Sequence, residues 1–291
     1  MLIEVPKQVP KRSWHPNFEP LSVIGIGCGR AGSISNRTPV HEIKRMLAQA
    51  LDHGINVIDT ANVYGGGDSE RIIGEVVKTR PHKAFIVTKI GLEFSEGTKF
   101  TALVKPLLRL AVRKSSGLRR ALLRERSRMI SQNFEPSNLS AALEGSLRRL
   151  SSAPIGGLLL HDPPPEVLAN DEVIGMLAKA KSDGKIRHFG ASVDSPEALE
   201  AALKVDGLEI LQLSMDLAAK LNSGAAAKRL ADSPIAILVR QILRPSGSAV
   251  DQNPRLPCQA IPEALAIPNV TSAVIGLSSS KHLEAAIKAI S

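Results

Sequence analysis

The segment Asp59-Thr60-Ala61-Asn62-Val63-Tyr64-Gly65 carries a carboxylate at the end of an apolar run and a phenol five residues later. Lys89 closes a second apolar run, Ala84-Phe85-Ile86-Val87-Thr88, where an amine is hard to explain as packing. His161 closes a third, Leu158-Leu159-Leu160. A phenol is a poor acid near neutral pH unless a nearby cation favours its phenolate. Lys89, oriented by Asp59, can supply that cation, so the four side chains make a plausible proton relay. Each has a plainer reading. Asp59 could cap a loop, Tyr64 could be a rim aromatic, and His161 alone would suit a hydrogen-bonded core histidine. Tyr64 is, however, the only tyrosine in the chain. Asp162, Glu166, Asp171 and Glu172 read as loop and helix-start acids, and no His/carboxylate spacing points to a metal.

Side chains this far apart in sequence need a scaffold that gathers strand ends. Candidate strands are Leu21–Gly25, Asn56–Thr60, Ala84–Lys89, Gly156–His161, Ile186–Ala191, Ile210–Leu213, Ile235–Val239 and Thr271–Ile275. Helical patterns alternate with them: His41–His53, Ser69–Lys78, Ser137–Leu150, Asp171–Ser182, Pro196–Lys204, Ala219–Ala231 and Ser280–Ile290. Thr38-Pro39 reads as a cap with a first-turn proline, and Gly54 as a stop. Pro254, Pro257, Pro262 and Pro268 argue against a helix before the last strand. The alternation predicts parallel strands with crossover helices, and eight strands is the number of a (β/α)₈ TIM barrel. A chain of 291 residues fits one such barrel or two ordinary domains. With no repeat and no linker, a single domain over 1–291 is the simpler reading. Gly25-Ile26-Gly27-Cys28-Gly29 is glycine-rich but is not followed directly by a helix, so it reads as a strand end rather than a dinucleotide fingerprint.

The motif Asp59-Thr60-Ala61-x-x-Tyr64-Gly65, the later Ser69-Glu70, and the strand-end Lys89 and His161 resemble the aldo-keto reductases from about Leu21 to Ile290. The resemblance implies an oxidoreductase that moves a hydride between a nicotinamide cofactor and a carbonyl or alcohol. It implies Tyr64 as general acid, Lys89 and Asp59 as its activators, and His161 as the group that orients the carbonyl. For the cofactor it implies Ser192, Gln212, Arg240, Gly276, Ser278 and His282. Three positions depart from the family pattern. Val193 stands where Asn is usual, Arg240 where an aromatic residue usually stacks on the nicotinamide, and Ala286 where Asn is common. A guanidinium plane can also stack on a ring. The family favours NADP, with NAD as the rival. A small aldehyde, ketone or sugar is the implied substrate.

The net charge of +9 is concentrated. Lys99, Lys105, Arg109, Arg113, Lys114, Arg119, Arg120, Arg124, Arg126 and Arg128 are opposed there only by Glu125. This segment lies in an insertion at about 92–136, after the third strand. Loops in that position reach the active face of a barrel, so a basic lid that attracts an anionic substrate is one expectation. A solvated helical excursion and contact with an acidic membrane surface are the others. An aromatic content of 3% leaves few platforms for nucleic acid. Two cysteines without CxxC spacing and no apolar run long enough to span a bilayer suggest a cytoplasmic protein. Oligomeric state is open. A low-turnover, dinucleotide-binding regulatory subunit is the alternative to an enzyme, motivated by the three departures.

Overall fold

The computed structural model describes residues 8–33, 36, 38–80, 82–94, 130–151, 155–222, 229–230, 233–243 and 255–290. The basic segment 99–128 lies outside the described residues. Twelve strands are described: β1 Lys11–Arg12, β2 Leu21–Ser22, β3 Ile24–Gly27, β4 Val57–Asp59, β5 Phe85–Ile90, β6 Leu92–Phe94, β7 Ile130–Gln132, β8 Ile155–His161, β9 Ile186–Val193, β10 Ile210–Ser214, β11 Ala236–Arg240 and β12 Val270–Gly276. Eight of them close a parallel barrel in the order β10-β11-β12-β3-β4-β5-β8-β9. Seven of the eight candidate strands fall on it with ends shifted by a residue or two; the first, Leu21–Gly25, begins in β2 of the N-terminal hairpin and reaches the barrel only at Ile24 and Gly25. β1 and β2 form an antiparallel hairpin at the N-terminal end of the barrel, where Arg12 donates to the carbonyls of Val270 and Leu265. β6 and β7, which follow the third barrel strand in the chain, pair with each other antiparallel.

The core has two parts. One fills the space between strands and helices. The other lies inside the barrel and comprises Leu21, Val57, Phe85, Val87, Leu159, Ile210, Ala236, Leu238 and Val274, with Trp14 against it. Successive strand residues point to opposite faces, so the residue two places on shares the inner face. From Val57 that residue is Asp59, from Val87 Lys89, from Leu159 His161, from Ile210 Gln212, and from Leu238 Arg240. The inner stripe is thus apolar low in the barrel and polar at the C-terminal strand ends.

Helix α1, Val40–Asp52, buries Ile43, Met46, Leu47 and Ala50 as their spacing predicts. Pro39 is its N-cap in extended conformation rather than a first-turn residue, and Thr38 makes no cap. α2 is Asp68–Val77, α3 Pro136–Leu150, α4 Pro165–Leu168, α5 Asp171–Ser182 and α6 Pro196–Ala202. The expected helix Ala219–Ala231 differs. The chain turns directly from β10 into α7, Met215–Ala219, and then a 3-10 turn at Lys220–Asn222, while 223–228 and 231–232 lie outside the described residues. Arg229 and Leu230, within the expected range, are helical. The prolines before the last strand do not prevent α8, Pro257–Ala266. Pro257 sits in the first turn, where no donor is needed, Pro262 forgoes one bond, and Pro268 follows the helix end. α9, Ser280–Lys288, closes the described fold. Among the described residues, no helix is long and apolar enough to cross a membrane.

Candidate active site

Asp59 and Lys89 meet at the C-terminal end of the barrel. Lys89 Nζ lies 2.5 Å from Asp59 Oδ1 and donates to the Thr60 carbonyl at 3.0 Å. Both side chains are buried. A buried ammonium is tolerated when it is paired and hydrogen-bonded, which is the case at Lys89. The loop after β4 is tied to β5 by Asn62 N–H on the Lys89 carbonyl (3.1 Å). Thr60 Oγ1 and Ser69 Oγ are 2.8 Å apart, and the Ser69 hydroxyl donates to the Cys28 carbonyl.

Tyr64 opens a 3-10 turn, Tyr64–Gly66. Gly65, Gly66 and Gly67 have φ of +64°, +68° and +88°, a left-handed run that side chains rarely adopt. That run of glycines brings the chain from the phenol into α2 within one turn. Lys89 Nζ stands 5.3 Å from the centroid of the Tyr64 ring. The His161 ring meets the Tyr64 ring edge-on, with centroids 5.8 Å apart. Burial, then the charges of Lys89 and Arg240, push the His161 imidazole down to about 3, so it is neutral at physiological pH. Its buried Nδ1 has no hydrogen-bond partner among the described residues. All four residues singled out for proton chemistry are therefore gathered on three adjacent strands, β4, β5 and β8, and the loop after β4.

The residues assigned to the cofactor occupy the adjoining arc, β9 to β12. Ser192 donates to Gln212 Oε1 (3.0 Å), and Gln212 Nε2 donates to Asp59 Oδ1 (2.8 Å). Arg240 Nε lies 3.4 Å from Ser192 Oγ, and its Nη2 pairs with Asp194 at 2.6 Å. A Cβ on Gly190 would fall 1.8 Å from the Ile210 carbonyl, so only glycine lets β9 and β10 approach this closely beneath Ser192. Gly276, at the end of β12, faces open space. Ser278 and His282 stand together at the exposed start of α9, 3.3 Å apart.

Sequence reasoning missed several neighbours. Asp194, the partner of Arg240, lies two residues beyond Ser192, and that spacing was the available signal. Burial and Asp194 raise the Asp162 carboxyl. Cys28 is buried, and its thiol is pushed up by burial and by Asp59 against the opposing pull of Lys89. Glu70, in the Ser-Glu pair, is fully buried. It accepts from Thr88 (2.6 Å) and pairs with Arg149 (2.6 Å), joining α2 to β5 and α3 beneath the Tyr64 loop. Among the described residues no cluster of His, Cys, Asp or Glu could hold a metal.

A closed parallel barrel with ionisable side chains gathered at its C-terminal strand ends has the layout of a barrel enzyme. The sequence matches the Aldo/keto reductase family over residues 23–244, and the chain belongs to that family. It is 28% identical over 170 residues to the NADH-specific methylglyoxal reductase of Escherichia coli, covering 57% of this chain and 45% of that protein. The chain spans about half the length of the curated relatives it matches. The fold is shared with PA4992 of Pseudomonas aeruginosa (TM-score 0.73, 24% identity, all of both chains covered). It is also shared with an aldo/keto reductase of Klebsiella pneumoniae solved with NADP and acetate (TM-score 0.66, 19% identity, 98% and 90% covered).

Proposed function

We propose that this chain is a single-domain, nicotinamide-dependent oxidoreductase that interconverts a small aldehyde, ketone or sugar carbonyl with its alcohol. The observation that carries this reading is the buried Lys89–Asp59 pair beside the only tyrosine, at the open end of a family-typical barrel. Tyr64 is the general acid in reduction and the base in oxidation. Its hydroxyl gives a proton to the substrate oxygen and takes it back in reverse. Lys89 supplies the positive charge that favours the phenolate left behind, and Asp59 fixes the ammonium in place. His161, neutral, offers a ring N–H to the same oxygen and so orients the carbonyl without competing for the proton.

The arc from β9 to β12 has a donor set that fits a nicotinamide dinucleotide. Ser192 and Gln212, bonded here to each other and to Asp59, carry the hydroxyl and amide that would complement a carboxamide on exchanging those bonds. The open backbone at Gly276 and the start of α9 suit phosphates, with Ser278 and His282 beside them. The dinucleotide, when bound, supplies or accepts the hydride. NADP is favoured by the phosphate-compatible pair at α9, with NAD as the alternative form. The basic segment 99–128, read from sequence, favours an anionic carbonyl among otherwise similar substrates.

The tie between Gln212 and Asp59, and the Arg240–Asp194 pair, favour one second reading: a dinucleotide-binding subunit of low turnover. Following nicotinamide absorbance with each of NADPH and NADH across neutral and anionic aldehydes separates the two. The enzyme reading expects oxidation of the reduced cofactor that depends on the aldehyde. Tight binding with no turnover across the panel would support the subunit instead.

A further inference from the structure

Five side chains from five strands form one line of hydrogen bonds across the barrel mouth. Arg240 of β11 reaches Ser192 of β9, Ser192 reaches Gln212 of β10, and Gln212 reaches Asp59 of β4, which also takes Lys89 of β5. The direction of each bond is dictated by the ends. The Arg240 guanidinium can only donate, and the Asp59 carboxylate, ion-paired to Lys89, can only accept. Gln212 must therefore turn its NH₂ to Asp59 and its carbonyl to Ser192. The Ser192 hydroxyl must spend its one proton on Gln212 and so receives from Arg240. Every donor points towards Asp59; the two bonds that end on its carboxylate are short and charge-assisted, whereas the outer link from Arg240 Nε to Ser192 Oγ is long, at 3.4 Å. Asp194 holds the outer end by pairing with Arg240 at 2.6 Å. Ser192 and Gln212 are buried, at 1% and 0% exposure, so water does not compete for the inner links.

We propose that Arg240 is a positioning residue for the Asp59–Lys89 pair, acting through Ser192 and Gln212. The inference rests on the acid–base reading of Tyr64, Lys89 and Asp59 given above. Gln212 takes up part of the negative charge of Asp59 Oδ1, the oxygen that also holds Lys89, and so leaves more of the ammonium's field for the phenol. With the line cut, Asp59 neutralises Lys89 more completely and the phenolate is less favoured. An arginine at the end of β11 thereby does more than cover a ring. It sets how strongly the mouth activates its acid.

Because Tyr64 is the only tyrosine, the tyrosinate absorbance of the cofactor-free protein reports on the mouth alone. The charges there over the alkaline range are Asp59, Lys89, Arg240, Asp162 and Asp194, since His161 is neutral and burial keeps the proton on Cys28. Lys89→Met should move the titration midpoint upward most. Ser192→Ala, which keeps the Arg240 charge but cuts the line, should move it upward by about half a pH unit. In an Arg240→Met background Ser192→Ala should add nothing, the signature of two residues acting as one path. Asp194→Asn, at a half-exposed side chain that can be changed without disturbing the core, should give a smaller shift in the same direction, because freeing the outer end of the line raises the midpoint while removing a negative charge from the mouth lowers it. If Lys89→Met shifts the midpoint but Ser192→Ala and Asp194→Asn do not, or if Ser192→Ala shifts it equally in both backgrounds, the positioning role is overturned. If Lys89→Met itself leaves the midpoint unmoved, the acid–base reading fails instead.

Discussion

The two ends of the barrel use the same three kinds of ionisable side chain and arrange them oppositely. At the N-terminal end, His188 Nδ1 lies 3.1 Å from Glu209, and Lys181 pairs with the same carboxylate at 2.6 Å. The imidazole is enclosed by Trp14, Phe18 and Phe85, with ring centroids 5.1, 4.5 and 5.8 Å away. Burial pushes the Glu209 carboxyl up, but His188 and Lys181 outweigh it and hold it below the usual range. At the mouth the carboxylate is given to the lysine instead. His161 has two cations bearing on it and a phenol against its edge. An imidazole beside a carboxylate and sealed by aromatics closes the barrel. An imidazole kept neutral beside a half-buried phenol is available for hydrogen bonding to a substrate.

This contrast can be broken by exchanging the treatment of the two lysines. Lys89→Met should reduce turnover by about 10²–10⁴-fold, the usual worth of a general acid's support. It should also destabilise by about 3–5 kcal/mol, because Asp59 is left as an unpaired buried charge. Lys181→Met removes a partly exposed partner and should change stability by about 1 kcal/mol or less, with turnover intact. Similar losses from both, in denaturant titrations and steady-state rates, would erase the distinction between the ends.

The two histidines sharpen it through pH. His161 is neutral when folded down to about pH 3, whereas its unfolded form takes a proton below its ordinary value of 6.5. Protonation of the unfolded chain therefore lowers stability as pH falls from 6.5 to 3. His161→Asn should flatten that part of the stability curve; an unchanged slope would count against the buried, neutral imidazole. Glu209 acts with the same sign, in a lower pH window. Its carboxyl is lowered on folding, so its contribution is present above the ordinary value of 4.5 and is lost as pH falls below it. Glu209→Gln should be destabilising at pH 7 and nearly neutral under strong acid. Trp14, the only tryptophan, reports this end by fluorescence. The smallest effect concerns the thiols. Cys258 is exposed and should alkylate readily, whereas Cys28 should react only on unfolding.

The mouth was far more legible in the sequence than the base. Asp59, Lys89 and His161 announce themselves as ionisable residues at the ends of runs that otherwise suit buried strands, and a barrel turns that shared position into proximity. The strands themselves were legible because parallel strands covered on both faces read as continuous apolar runs. Arg240 was visible as a departure, but its meaning depended on Asp194, which belongs to a neighbourhood created by strand order rather than by sequence. Trp14, His188 and Glu209 come from a terminal segment, a strand interior and a loop with no common pattern, so nothing short of the closed barrel brings them together. Helix boundaries suffered where local chemistry was ambiguous. α8 tolerates prolines because one lies in its first turn, and α7 starts early because β10 ends at Ser214, which holds the N-cap position without a side-chain cap and passes into the helix with no loop between.

The claim on which the rest depends is that the Tyr64 hydroxyl transfers the proton. The most direct measurement compares Tyr64→Phe with the parent protein in two assays: binding of the reduced dinucleotide, and its oxidation by an aldehyde that the parent turns over. Tyr64→Phe should bind the dinucleotide unchanged and turn over at a rate at least about 10²-fold lower. A variant that binds the dinucleotide and turns over as fast as the parent would contradict it.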